Sequence, residues 1–359
     1  MKSFFKATLL GCTLTLALSA LLPTASYAQD AVIEGTSYYL PKTALQFTLL
    51  IEKKTFTPGE YADYAISYLK HSEAVLDAKT AYRILNIDAK AIGVADTAKY
   101  HTAKINPKLS IHKIFTNNDG MLRSVNMEPK PLPAENHFSP AKKPQPLRPR
   151  DYMSEEILSA GSKSKMAQLC AEEIYEIRSS RNELTRGTAE TLPKDGEQLR
   201  LMLNTLNTQE KALLQLFEGI TDCDTIETVI TIQPDREVSN RILFRFSEAF
   251  GMVSADDLSG APYYLTISDL HQTPEDTRTD KEKLKDKDET GLYINVPGRA
   301  RIKINKEEKT VKEFDTPFAQ FGRCENISPL LFSKKVSTSY EINPVSGAIV
   351  NLQSEEVGK

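Results

Sequence analysis

Seven prolines fall within the 23 residues from Glu128 to Arg150, among them Pro129, Pro131 and Pro133, then Pro144 and Pro146. Each fixes its own backbone and removes an amide donor, so this stretch can enter neither a helix nor the interior of a sheet. It divides the chain and reads as a stiff linker or surface strap, with a polyproline ligand for a partner groove as the alternative. Regular structure must be built before residue 128 and after residue 150.

Beyond it, Met166, Cys170, Ile174, Ile177 and Leu184 recur at helical spacing, and Leu199, Leu203, Leu206, Leu213 and Phe217 form a second seam. Gly187 and Leu192-Pro193-Lys194-Asp195-Gly196 interrupt the two. This predicts an antiparallel helical hairpin within 151–220, roughly 30 to 35 Å long. Arg181 and Glu210 fall on the apolar seams, where polar contacts that set the register are expected before a buried site.

Strand patterns occupy both flanks. Leu45 to Glu52 alternates like a half-buried strand and stops at Thr57-Pro58-Gly59. Tyr61, Tyr64, Ala65, Tyr68 and Leu69 follow at helical spacing, predicting a short helix packed on a sheet. Leu109 to Phe115 and Met121 to Val125 flank Asn117-Asn118-Asp119-Gly120, a hairpin signal. After Gly219, short strands are expected over 225–233, 241–246, 263–267, 291–296, 299–304 and 338–342, with a last one from Gly347 to Leu352. The segment Glu275 to Thr290, with seven acids and five bases, reads as a solvated loop.

At the amino terminus, Lys2 and Lys6 precede an apolar run from Ala7 to Leu22 and the small-x-small exit Ser26-Tyr27-Ala28. That is the pattern of a secretory signal peptide, too short and too interrupted for a membrane span. A lipobox at Leu9-Leu10-Gly11-Cys12 is the weaker reading, because it leaves apolar residues on the mature side. Removing residues 1–28 takes away two lysines and no acid, so the formal charge moves from -3 to -5. A mildly acidic chain lacks the clustered excess of Lys and Arg that nucleic acid requires.

Cys170, Cys223 and Cys324 remain after such processing. Three is an odd number and the spacing makes neither a disulfide framework nor a CxxC pair, so one bridge or none is expected. A Cys170–Cys223 bond would require Cys223 to fold back about ten residues along the hairpin. The histidines, His71, His101, His112, His137 and His271, are scattered, and no metal or cofactor is expected.

Ser162-Lys163-Ser164-Lys165 has the Ser-x-x-Lys form and Ser180-Arg181-Asn182 the Ser-x-Asn form of penicillin-recognising enzymes. Both lie in one predicted helix and no Lys-Thr-Gly follows, so they are read as coincidence. Leu40-Pro41-Lys42-Thr43-Ala44 has a sortase-signal form but stands at the wrong end of the chain. Arg299, Arg301 and Lys303 alternate with Ala300, Ile302 and Ile304, giving a strand with one basic face, a weak candidate for an anionic glycan or lipid head group and otherwise an ordinary solvated face. Glu248, Asp256 and Asp257 could serve hydrolysis only if two acids faced each other across a cleft.

The flanking β regions echo each other. Tyr39-Leu40-Pro41 before one strand resembles Tyr293-Ile294-Asn295-Val296-Pro297 before another, and each region closes with a glycine-turn hairpin, at Gly120 and Gly347. Distant duplication is the hypothesis, to be rejected by unmatched strand order.

Tyr38 to Thr43, Tyr61 to Leu69, Ile174-Tyr175-Glu176-Ile177-Arg178-Ser179-Ser180-Arg181, Pro193 to Gly196, Gln209 to Leu213 and Ala319-Gln320-Phe321-Gly322 together resemble the secreted family of Gram-negative bacteria named domain of unknown function 4831. The resemblance spans most of the chain and implies no activity, cofactor or catalytic residue. The expected architecture is α+β and β-rich. It comprises a signal peptide (1–28), an N-terminal α+β domain (29–127), the Pro-rich strap (128–150), a helical hairpin (151–220) and a C-terminal antiparallel β-sandwich-like domain (221–359). The expected role is a non-catalytic, exported envelope protein that binds another envelope protein or a glycan. The alternative is a carboxylate-dependent glycan or cell-wall hydrolase, and a third option is a subunit of a surface assembly, marked by an exposed unpaired strand or a removable N-terminal segment.

Overall fold

The computed structural model describes residues 29–31, 35–71, 74–104, 108–133, 138–139, 143, 145–276, 278–279 and 290–356. The signal peptide and lipobox predicted over 1–28, and most of the charged loop 275–290, lie outside the described residues. The fold is rich in antiparallel β-structure, in three sheets.

The spine is β2 (Ser37–Thr57), whose alternating apolar residues extend well beyond the predicted strand at both ends. It ends at Pro58, which has no amide to continue a ladder. It pairs on one side with β3 (Lys79–Thr102) and on the other with β6 (Ile220–Ile232), forming a three-stranded sheet. A five-stranded sheet has the order β11-β10-β9-β7-β8, from β7 (Val238–Ser247), β8 (Gly251–Val253), β9 (Ala261–Asp269), β10 (Tyr293–Lys306) and β11 (Lys309–Asn326). These two sheets enclose Leu45, Phe47, Leu49 and Ile51 against Phe244, Leu265, Ile302 and Phe318. Each such side chain contributes on the order of 1.5 to 3 kcal/mol by leaving water.

The third sheet has the order β1-β4-β5-β12-β13. Its strands are β1 (Gln29–Ala31), β4 (Ile114–Thr116), β5 (Leu122–Val125), β12 (Val336–Ile342) and β13 (Ile349–Glu356). Its core joins Ile114, Leu122, Val125, Phe332 and Tyr340 to Tyr38 and Leu40 of β2. A third core holds α1 (Glu155–Ser159), α2 (Lys163–Arg186) and α3 (Gly196–Glu218) around Ile157, Cys170, Ile174, Leu213 and Phe217. Ser162 caps α2, its hydroxyl accepting from the Lys165 amide at 3.2 Å, and Asp195 caps α3, accepting from Gln198 at 2.7 Å.

Four expectations are corrected. Residues 29–127 and 221–359 do not build separate sheets: β6 pairs with β2 along thirteen residues, and β12 joins the edge that β5 leaves open. The predicted strands 291–296 and 299–304 are one strand, β10, carried through Pro297 by a register irregularity between Val296 and Gly298. The long strands β3 and β11 have no counterpart in the sequence reading. The tyrosine segment forms a 3₁₀ turn and a π turn that pack on the helices, not on a sheet: Tyr61 meets Phe217 edge-on at 5.7 Å, and the Tyr68 hydroxyl lies 3.0 Å from that of Ser164.

The two β regions repeat one arrangement. The Thr36 carbonyl accepts from Ala103 and the Leu292 carbonyl from Ile327, both at 2.9 Å. From Tyr39↔Tyr100 to Pro41↔Ala95, β2 advances two residues while β3 runs through five; from Val296↔Arg323 to Gly298↔Phe318, β10 and β11 do the same one residue further along β10. The Tyr39 amide donates to Gly120 at 2.9 Å and the Asn295 amide to Gly347 at 3.1 Å. Both glycines have positive φ, 73° and 75°, in turns closed by Asn117 and Asn343, whose side-chain oxygens accept amides two residues on. The strand order β2-β3-β4-β5 therefore matches β10-β11-β12-β13. Pro41 corresponds to Pro297 and Tyr39 to Asn295, so the sequence echo holds with its register now fixed.

Candidate interaction surfaces

The basic face predicted on β10 is a cross-strand ion-pair ladder. Arg301 donates to both oxygens of Asp315 at 2.9 and 3.0 Å and lies 3.5 Å from Glu313, which Lys303 also approaches at 3.4 Å. Hydrogen bonding from Arg301 holds the Asp315 carboxyl below its ordinary value. Antiparallel register places these β11 acids opposite the basic residues, which local sequence does not reveal. Arg299 is exposed opposite Pro317, the one basic residue of the three with no acid across from it.

The other motifs resolve into structural roles. Ser162 of Ser-x-x-Lys is the helix cap described above. In Leu40-Pro41-Lys42-Thr43, Leu40 is core, Lys42 pairs with Asp235, and the Thr43 hydroxyl donates to the Val345 carbonyl while accepting from the Ala319 amide. Asp256 and Asp257 stand on an exposed turn, where Asp257 accepts from the Ser259 amide at 2.8 Å, so they do not face a cleft. Among the described residues no three His, Cys, Asp or Glu side chains converge as a metal site.

Cys170, Cys223 and Cys324 are free thiols. Cys170 is sealed in the helical core, where burial pushes its thiol up to about 12, whereas Cys223 is exposed on β6 opposite Lys54.

The polar network around Thr43, Asn295 and Gln320 ties the two repeats together. Asn295 donates through Nδ2 to the carbonyls of Pro41 and Ser346 at 2.8 and 3.1 Å, and Gln320 donates to the Thr43 carbonyl at 2.7 Å. Beside it, Ala91, Thr316, Pro317, Asn343, Val345 and Ser346 line an open depression of about 240 Å³. It has few polar groups left to offer, since Asn343 and Ser346 are engaged in their own turn.

The helices carry both a polar tie and exposed apolar residues. Arg178 and Arg181 of α2 both donate to Glu210 of α3, and Arg181 reaches Asn207 at 3.0 Å, the polar contacts expected between the seams. Burial pushes the Glu210 carboxyl up, but the two guanidinium groups outweigh it and hold the carboxyl low. Beyond these pairs the apolar core thins: Leu201 is 67% exposed, Leu192 49% and Met202 37%. Asp195, Glu197, Arg200 and Leu201 border a shallow surface of about 360 Å³ there.

The proline segment meets β6 at two points. The Phe138 amide donates to Glu227 at 2.7 Å, and Lys143 pairs with Asp222 at 2.7 Å and with Asp224. Residues 222 and 224 point to one face of the strand and 227 to the other, so Lys143 and Phe138 are tied to opposite faces of β6.

Among the described residues no helix is long and apolar enough to cross a membrane. Neither a curated protein nor a solved structure matches the chain. The profile of the family described as Domain of unknown function (DUF4831) matches residues 34–350, from just before β2 into β13. That match takes in the first β repeat, the strap, the helices and the second repeat as far as the start of β13, and the chain belongs to the DUF4831 family.

Proposed function

We propose that this chain is an exported, non-catalytic binding or scaffold protein of the cell envelope, and that α2 and α3 form a projecting antiparallel hairpin that engages another envelope protein or a glycan. The observation that carries the reading is the exposure of Leu192, Leu201 and Met202, in the link between α2 and α3 and the first turns of α3, outside the helical core. Exposed apolar groups gathered at one end of a rigid element mark an interaction site more often than scattered ones do. The leader-like residues 1–28 support export, and the absorption of Ser162, Asp257 and the β10 basic residues into structural contacts supports binding over catalysis.

Immobilised protein is expected to retain a partner from an envelope extract. The double variant Leu201→Glu, Met202→Glu is expected to lose it by tenfold or more while melting like the parent, since exposed substitutions cost at most about 0.5 kcal/mol. Equal retention by the variant overturns the assignment of the surface. Turnover of a glycan or cell-wall substrate by the purified protein overturns the non-catalytic reading.

A further inference from the structure

In the third sheet β12 lies between two strands. Tyr340 pairs with Leu352 of its own hairpin on one side and with Val125 of β5 on the other. Its counterpart in the first repeat, Ile114 of β4, pairs with Val125 of its own hairpin and with Ala31 of β1. The hairpins match residue by residue, including the irregularity that leaves out Arg123 in one and Val350 in the other. The backbone of β1 therefore occupies on β4 the register that β5 occupies on β12: Ala31 and Asp30 against Ile114 and Phe115, Val125 and Ser124 against Tyr340 and Glu341.

One position in this series is empty. The outer margin of β5 receives β12, but the matching margin of β13 receives nothing among the described residues. Exposure records the difference. Val125 and Arg123 are 0% and 4% exposed, whereas their counterparts Leu352 and Val350 are 49% and 58% exposed. A bare strand margin with exposed aliphatic side chains is a template for another strand.

The geometry points to a second copy of this chain as the occupant: β13 of one molecule pairs antiparallel with β4 of the next, in place of β1, with Leu352 against Ile114 and Asn351 against Phe115. The contact repeats within the assembly the β5–β12 joint already present within the chain. It is head-to-tail, so each copy offers β13 at one end and accepts at the other, and the assembly is open-ended. The exchange gives up the three residue pairs of β1, and the β5–β12 joint it copies makes two, so the gain lies in covering the exposed Leu352 and Val350. It uses no part of the helical surface, so the two readings fail separately.

The test is sedimentation of the full chain over a concentration series, beside Asp30→Pro, which takes an amide out of β1. Asp30→Pro is expected to grow with concentration past twice the mass of one chain, with amides of 349–356 gaining hydrogen-exchange protection. Adding Leu352→Lys, a charge on the pairing margin, is expected to return it to monomer. If the amides of β4 exchange in Asp30→Pro as in the parent, deletion of residues 29–34 removes β1 outright and is read the same way. A β1-free chain that stays monomeric with its fold intact by circular dichroism overturns the inference. So does assembly that Leu352→Lys leaves unchanged.

Discussion

Glu210 shows how a single side chain is held against its own preference. It is 8% exposed yet charged, because Arg178 and Arg181 converge on it from the facing helix. Both guanidinium groups are about a third exposed, so water screens the attraction, and Glu210→Gln is expected to cost about 1 to 2 kcal/mol at neutral pH. The pH dependence has a definite sign. The folded carboxyl lies below its unfolded value of 4.5, so the pair contributes fully above that value and is lost as pH falls through the lower, folded one. Urea unfolding at pH 7, 5, 4 and 3 is expected to show the parent losing more stability below pH 4.5 than Glu210→Gln does. Parallel pH curves would contradict the assignment.

At the scale of elements, the short hairpins depend on turns that only glycine fits well. A Cβ on Gly347, at φ 75°, would lie 2.6 Å from Asn295 Nδ2 and 3.0 Å from the Pro41 ring. Gly187 at the end of α2 has nearly the same φ, 73°, with nothing within 4 Å. Both alanine variants carry the backbone cost of about 1 to 2 kcal/mol, and Gly347→Ala is expected to lose a further 1 kcal/mol or so from crowding. Equal losses in thermal or urea melts would show that the turn yields. The same elements explain what the sequence disclosed. The helical seams and β2 stood out because one apolar face repeats with a clean period. β3 and β11 did not, because Ala, Lys and Asp residues in β3, and Pro317 among the charges of β11, hide the alternation; those strands exist because β2 and β10 present matched partners far along the chain. The basic residues of β10 were legible as a stripe, but their neutralisation by Asp315 and Glu313 depends on register. The exposed end of the helices was invisible for a related reason, since Leu201 and Met202 read as ordinary apolar residues until the facing helix is in place.

Across the whole molecule, three cores hang on one strand. Tyr38 and Leu40 belong to the core of the third sheet, Leu45 to Ile51 to the sandwich, and Tyr61, three residues past Pro58, to the helices. Phe47→Ala removes a fully buried ring from the middle of this spine and is expected to cost about 3 to 5 kcal/mol. With no Trp in the chain, tyrosine emission reports all three cores, through Tyr38 and Tyr340, through Tyr263 and through Tyr61, while far-ultraviolet circular dichroism reports the backbone. The two signals are expected to shift downward together in Phe47→Ala. Separate midpoints would mean that the cores unfold independently.

The proline segment beside β6 has an architectural consequence. It ties Phe138 and Lys143 to acids of this edge strand, so a strand arriving there would first have to displace those contacts.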